Sequence, residues 1–443
     1  MKTFKLGGIH PEENKITADV SITTANVPSK VSIPLSQSLG SASKPIVEKG
    51  SSVKVGQLIA VGETFISSNI HSSVSGKVTK IEEIIDATGY RRPAITIDVE
   101  GDEWVETIDR SSEINTDISL TKDEIISRIK DCGIVGLGGA TFPSHVKLMV
   151  PKDKVAQYLI INGVECEPFL TSDHRVMLEY GEEVITGIRI LMIALQVKEA
   201  FIGIENNKPD AIEHLSKLAS ACPEIQVIPL KVKYPQGAEK QLIKAITGRE
   251  VPSGKLPIET GCIVQNVGTA LAVYEAVQKN KPLIDRIVTI TGLSLQNPGN
   301  FRVRIGTSID YIIEIAGGLP SDTGKVISGG PMMGKALTSL DIPIVKGTSG
   351  ILVLPQSDSR RVKIHNCIRC ARCISVCPIG LQPVLLAQLI ENEVYDEAEK
   401  ENIMDCMECG SCQYACPSGR PILDYVRLGK NKVGNIIRNR VKN

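Results

Sequence analysis

The sequence predicts a multidomain α/β chain that closes on a small helical domain rich in cysteine. Three observations carry this. A length of 443 residues suggests about three domains at ~150 residues each. Short β runs between Gly and Ser turns fill residues 26–105, and strand and helix patterns alternate from 121 to 282. Near the end stand two four-cysteine runs of identical spacing, CIRCARCISVCP at 367–378 and CMECGSCQYACP at 406–417.

Composition narrows the function classes. Apolar residues make up 42%, ordinary for a globular chain with sizeable cores. Lys+Arg and Asp+Glu are equal at 50 each, so no global field steers nucleic acid or an anionic membrane. Aromatics are only 4%, too few for base-stacking platforms. The stretch MKTFKLGGIH lacks the apolar core of a secretory signal. The longest apolar run, Val184–Val197, carries Arg189 and falls short of the ~20 residues that span a bilayer. A reducing, cytoplasmic setting is expected for so many thiols.

Taken in order, residues 1–25 are polar and read as an extended arm without a core of their own. Residues 26–110 form a β domain with an internal echo, VEKGSSVKVGQLIAVG at 47–62 and NIHSSVSGKVTKIEE at 69–83. The echo resembles the barrel-sandwich fold of biotinyl and lipoyl carriers. The matching hairpin, His71 to Gly76, has no modifiable lysine, so the fold is expected without the swinging arm. His71 is expected at the surface. Residues 106–120 read as a linker.

Residues 121–282 alternate as a doubly wound α/β domain should. After a helix at Thr121–Asp131, glycines 133, 136, 138 and 139 allow the backbone to approach a bulky anion or ring. A helix then opens near Pro143–Ser144, where free N–H groups favour phosphate. The apolar strand Val155–Ile161 ends in Asn162-Gly163-Val164-Glu165-Cys166-Glu167-Pro168, a polar strand end of the kind that faces ligands in open α/β sheets. Two later loops, Tyr234–Lys240 and Gln265–Thr269, each open a helix. The glycine loop alone could be only a turn, and the strand end at 162–168 a capped loop before a helix near Ser172–Asp173. Three such loops converging on one crevice make a binding site the better reading.

Residues 283–354 return to β character with one helix around Ile309–Ala316, a small α+β module. The stretch SGGPMMGK at 328–335 lacks the Gly-Lys-Ser/Thr ending of a phosphate loop and reads as a turn facing a neighbouring domain. The scattered thiols of Cys132, Cys166, Cys222 and Cys262 read as buried and structural.

Residues 360–426 hold the cysteine runs. Each is C-x₂-C-x₂-C-x₃-C-P, which ligates [4Fe–4S] clusters, the fourth cysteine serving the other cluster. Cys367, Cys370, Cys373 and Cys416 are assigned to one cluster, and Cys406, Cys409, Cys412 and Cys377 to the second. Structural zinc prefers two ligand pairs across a loop, often with histidine, and a disulfide framework does not suit a chain of this class. Helices are expected at Pro383–Glu391 and Tyr395–Asn402, and 427–443 reads as a basic tail.

In this order the pieces resemble the C subunit of the Rnf ion-translocating ferredoxin:NAD oxidoreductase, over nearly the whole chain. Residues 130–350 are also similar to the flavin- and NADH-binding subunit of respiratory complex I, and 283–354 to the β-grasp module that follows its flavin domain. The resemblance places FMN and NAD(H) against Gly136, Gly138 and Gly139, Lys147, Asn162, Glu165, Glu167, Gly237, Glu239, Asn266 and Thr269. Where complex I subunits carry an Asp and a Glu, this chain has Val164 and Ala238. The resemblance implies a peripheral subunit on the cytoplasmic side of the membrane. Electrons would arrive from ferredoxin through partner subunits, one of them a ferredoxin-like cluster protein. They would cross the two clusters singly, gather on FMN and pass to NAD⁺. No side chain is assigned as a catalytic acid or base. Two alternatives stand beside this: a soluble NADH-dependent corrinoid reductase, and a cluster-bearing wire or scaffold without flavin.

Overall fold

Alternating apolar residues in the first β domain close two small sheets face to face. One sheet runs, in spatial order, Lys30–Pro34, Arg91–Val99, Gly76–Ile85 and Ser52–Val53; the other joins Lys44–Pro45, Leu58–Val61 and Ile70–His71. Val31, Ile33, Ile59, Ile70, Ile95 and Ile97 fill the space between them. This is a computed structural model, and residues 1–442 are described. His71 corrects an expectation. It pairs with Leu58 inside the sheet and is buried: alternation sends Ile70 to the core and His71 to the other face, which is covered by the segment of Lys346, whose ammonium donates to the Asn69 carbonyl.

The central domain is a four-stranded parallel sheet in the order Ile225–Leu230, Glu199–Glu205, Tyr158–Asn162, Cys262–Asn266. Its strands are continuous apolar runs because helices cover both faces. The chain winds outward from Tyr158–Asn162 and then crosses back to place Cys262–Asn266 on the other side. The switch in winding therefore lies between these two strands, where a crevice opens at the carboxyl ends. Asn162 and Asn266 are register partners at that end.

The third module is a six-stranded sheet around Asp285–Thr291, with the helix Ile309–Ile315. Its edge strand is Ile22–Thr24, from the arm, lying parallel to Gly299–Arg304. The arm is thus part of the cores around it. Phe4 and Ile9 are buried, and Lys2 bridges to Leu230 at the edge of the parallel sheet.

The cysteine domain is built on the helices Pro383–Glu391, Tyr395–Lys400 and Ile422–Lys442. The expected basic tail takes in all but the first five residues of this last helix. Val426 and Val433 are buried in the domain core. Gly429 lies so close to Ile390 and Ile403 that a Cβ would meet their side chains at 2.5 and 2.7 Å. The cations on the opposite face conceal this apolar stripe in the sequence.

Candidate flavin crevice and cluster sites

The glycine loop, the two strand ends and the loop before Glu239 meet at the switch point. Asn266 caps the helix Val267–Gln278 by accepting from the Gly268 N–H at 2.8 Å. Its amide nitrogen donates to Asp173 at 2.7 Å and toward the Asn162 carbonyl at 3.4 Å. Asn162 donates to the Gly237 carbonyl at 2.8 Å. Thr269 accepts from the Leu137 N–H at 2.9 Å, which lays the glycine loop over the helix start. Gly136 closes that loop by donating to Phe142. Lys147 and Glu239 form an ion pair at 2.7 Å across the crevice.

Two glycines test whether the crevice fits a planar ring. A Cβ at Gly138 would press on the Asn266 side chain at 2.9 Å. A Cβ at Gly139 would meet nothing within 4 Å, and its backbone is not left-handed. The fold alone therefore does not demand glycine at 139, whereas a ligand lying on the loop would. The crevice fits a flavin on this ground.

Two of the predicted carboxylates are committed elsewhere. Glu165 caps the helix Ser172–Glu179, accepting from Ser172, Asp173 and His174. Glu167 accepts from the N–H groups of Met332 and Met333 at 3.1 and 2.8 Å, so the SGGPMMGK turn does face another domain. Burial pushes the Glu167 carboxyl up, against those hydrogen bonds. The loop between them is gripped by Lys15, whose ammonium donates to the carbonyls of Glu165, Glu167 and Leu170.

The cysteine runs fold as a structural repeat. Arg369 and Glu408, Ala371 and Gly410, and Gly380 and Gly419 take positive φ at matching places. In each run the third residue donates its N–H to the first thiol at 3.4 Å. Cys377 lines one cavity with Cys406, Cys409 and Cys412; burial pushes the Cys373 thiol up, and Cys416 lies near enough to add to that. Cys377 thus sits with the other run's three, and Cys416 near one of the other run's. Among the described residues no three His, Cys, Asp or Glu are drawn together tightly enough for a single ion. A ring of thiols around a cavity fits a cluster instead. Burial pushes Cys406 up to about 11, so its ionisation would follow from binding iron. Cys367 and Cys370 are exposed, while Cys409 and Cys377 are buried toward the α/β domain.

What joins crevice and inner cradle is not legible in the sequence. Tyr234 donates to the Cys409 carbonyl at 2.8 Å, and Gln241 to the Pro378 carbonyl at 3.1 Å. Gly8 of the arm donates to Val376. The only signal is an aromatic residue and an amide within an otherwise unremarkable loop and helix start.

Comparison with known proteins follows the same modules. Residues 2–102 match the RnfC barrel sandwich hybrid domain, 129–275 the Nuo51 FMN-binding domain, 287–336 the SLBB domain and 361–417 the 4Fe-4S dicluster domain. The chain is 48% identical over 435 residues to the C subunit of the proton-translocating ferredoxin:NAD(+) oxidoreductase complex of Clostridium ljungdahlii, covering 98% of this chain and 94% of that one. It is 46% identical to the Na(+)-translocating counterpart of Acetobacterium woodii, covering 97% of both. It is 42% identical to the C subunit of the ion-translocating oxidoreductase complex of Rhodobacter capsulatus, covering 98% of this chain and 84% of the relative. A solved NAD+-reducing [NiFe]-hydrogenase shares the fold over 70% of this chain and 63% of its own, with a TM-score of 0.51 at 17% identity. The chain belongs to the RnfC family, the C subunits of the ion-translocating ferredoxin:NAD(+) oxidoreductase complexes.

Proposed function

We propose that this chain exchanges electrons between two [4Fe–4S] clusters and NAD(H), through FMN, as a peripheral subunit of an ion-translocating membrane complex. The observation that carries this reading is the shared boundary of crevice and inner cradle, where Tyr234 and Gln241 hold carbonyls of Cys409 and Pro378. Bound FMN links one-electron clusters to the two-electron chemistry of NAD(H). The chain's own residues do the rest. Gly138 and Gly139 offer an open backbone floor, and Thr269 and Asn266 hold it in place. Lys147, paired with Glu239, supplies a cation to the crevice. Cys377, Cys406, Cys409 and Cys412 would hold the inner cluster. Cys367, Cys370, Cys373 and Cys416 would hold the outer one; Cys367 and Cys370 are exposed, which supports electron exchange there with partner subunits, among them a ferredoxin-like protein. Among the described residues no helix is long and apolar enough to cross a membrane. We place the chain on the cytoplasmic face, where NAD(H) is found.

Anaerobically purified protein tests this. About eight irons and about one FMN per chain, with clusters bleached by NADH, are expected. A full complement of iron with neither flavin nor a response to NADH would replace this reading with the flavin-less wire.

A further inference from the structure

Beside the start of the glycine loop lies a small cavity between the α/β domain and the six-stranded sheet. It is lined by Leu137, Asp173, Gly268 and Arg286, among others. Arg286 stands near the start of the strand Asp285–Thr291, yet its guanidinium reaches into the neighbouring domain. It donates to the Thr348 carbonyl at 3.2 Å and to the Leu137 carbonyl at 3.4 Å. Leu137 is the residue whose N–H is held by Thr269. The start of the glycine loop is therefore gripped at both of its backbone groups, one grip coming from another module.

Asp173 does the corresponding work for Asn266. Its carboxylate accepts from the Asn266 amide at 2.7 Å, and Asn266 lies directly under Gly138. A Cβ built on Gly268 would stand 3.6 Å from the Arg286 guanidinium and 3.7 Å from an Asp173 oxygen. The two charges thus flank the same helix start. Burial, and then the neighbouring Glu165, push the Asp173 carboxyl up to about 7, and burial lowers Arg286 to about 10; the charge of each partner works against the other's shift. A buried guanidinium and carboxylate are costly to desolvate unless fixed hydrogen bonds repay them. Here those bonds fall on the two elements that shape the crevice floor.

We propose that Asp173 and Arg286 are positioning residues for the flavin, fixing Asn266 and the glycine loop so that the six-stranded module sets how tightly FMN is held. This rests on the flavin reading of the crevice. Neither residue needs to touch the ring. Asp173 keeps the Asn266 side chain flat beneath Gly138, and Arg286 prevents the loop from lifting at Leu137. Coupling between the modules follows, because a shift of the strand that carries Arg286 would be transmitted to the loop through a rigid planar fork.

The test is FMN binding to the full chain with its clusters assembled, read by quenching of flavin fluorescence. Melting temperature and cluster absorbance are followed alongside. Asp173→Ala and Arg286→Gln are each expected to raise the FMN dissociation constant at least tenfold, with cluster absorbance unchanged. Asp173→Asn keeps an acceptor for the Asn266 amide and should restore most of the affinity, whereas Asp173→Leu, which fills the space without an acceptor, should not, although a general packing role would let it. Variants that bind FMN as the parent does would overturn the inference. So would flavin lost only in step with melting temperature and clusters in the Asn and Gln variants as well as the Ala one. A parent chain that binds no FMN would overturn the flavin reading itself, and this inference with it.

Discussion

The Tyr234 hydroxyl donates to the Cys409 carbonyl across 2.8 Å, so a residue of the crevice loop is bonded directly to the backbone of a proposed ligand of the inner cluster. Tyr234 is only 2% exposed. Its own backbone pairs both ways with Ile9 of the arm, each bond 2.9 Å long. Its hydroxyl also lies 3.4 Å from Glu167, which holds the Met332–Met333 turn of the six-stranded module. Arm, α/β domain, cluster domain and six-stranded module all meet at this ring.

Tyr234→Phe removes the donor and leaves a buried carbonyl unpaired, a cost of about 1–3 kcal/mol. The ring's packing is retained, so iron content should hold while NADH-driven bleaching of the clusters slows. Stopped-flow absorbance with iron analysis on the same sample checks this. If iron is lost in proportion to rate, Tyr234 merely builds the cradle.

The crossed ligand sets give a second prediction. Cys416 sits beside Cys373, and Cys377 shares a cavity with the 406–412 run. Cys416→Ser should therefore perturb the outer cluster, held by Cys367, Cys370 and Cys373. Electron paramagnetic resonance of the reduced protein separates the two signals. Damage confined to the cluster of the 406–412 run would overturn the crossing.

Gly138→Glu places a side chain where even a Cβ presses on Asn266 at 2.9 Å, and adds a charge to the crevice floor. FMN content should fall to near zero while cluster absorbance persists. Flavin retained at the parent level would move the binding site away from this loop.

The parts of the chain that were legible are those fixed by local geometry. The spacing of the cysteines is set by how a short loop wraps a cluster, so the ligand sets can be assigned from the sequence. Asn162 and Asn266 could be found because they end apolar strands, and strand ends are where crevices form. Glu165 and Glu167 share that position but are spent on a helix cap and a turn from another module. No periodicity shows which backbone a buried carboxylate will meet. The arm was illegible for the same reason: Phe4, Ile9 and Lys15 have partners only in other modules. His71 is buried because the Lys346 segment of another module covers its face of the sheet, which one strand cannot reveal by itself.

His71 gives a pH dependence with a definite sign. Its Nδ1 is buried without a partner. Burial, and then the Lys346 ammonium, lower its pKa from 6.5 to about 3. Below pH 6.5 the unfolded chain takes up a proton that the folded chain refuses until about pH 3. The stability contribution is complete above 6.5 and is lost as pH falls. By pH 5 the loss should reach about 2 kcal/mol, at about 1.4 kcal/mol per pH unit. Lys346, lowered to about 7 by burial, titrates at the upper edge of this window and does so in variant and parent alike. His71→Leu should flatten the fall in melting temperature between pH 7 and 5. Parallel curves for variant and parent would exclude His71 as the source.

The helix Ile422–Lys442 separates two readings of its residues beyond Val426. As a solvated basic tail, residues beyond Val426 could change without consequence for the clusters. In the fold, Val433 is 0% exposed inside the helical core, and Lys430 donates to the Cys406 carbonyl at 2.5 Å while pairing with Glu408 at 2.9 Å. Val433→Asp would bury an unpaired carboxylate among Ile390, Ile403 and Val426, a cost of several kcal/mol. Iron should then be lost from both cradles while the α/β domain keeps its FMN, because the two share only a boundary. Lys432→Ala, on the exposed face, should leave iron and melting temperature unchanged. Iron analysis and flavin release on both variants decide it. Full iron in Val433→Asp would mean that this turn of the helix does not close the domain.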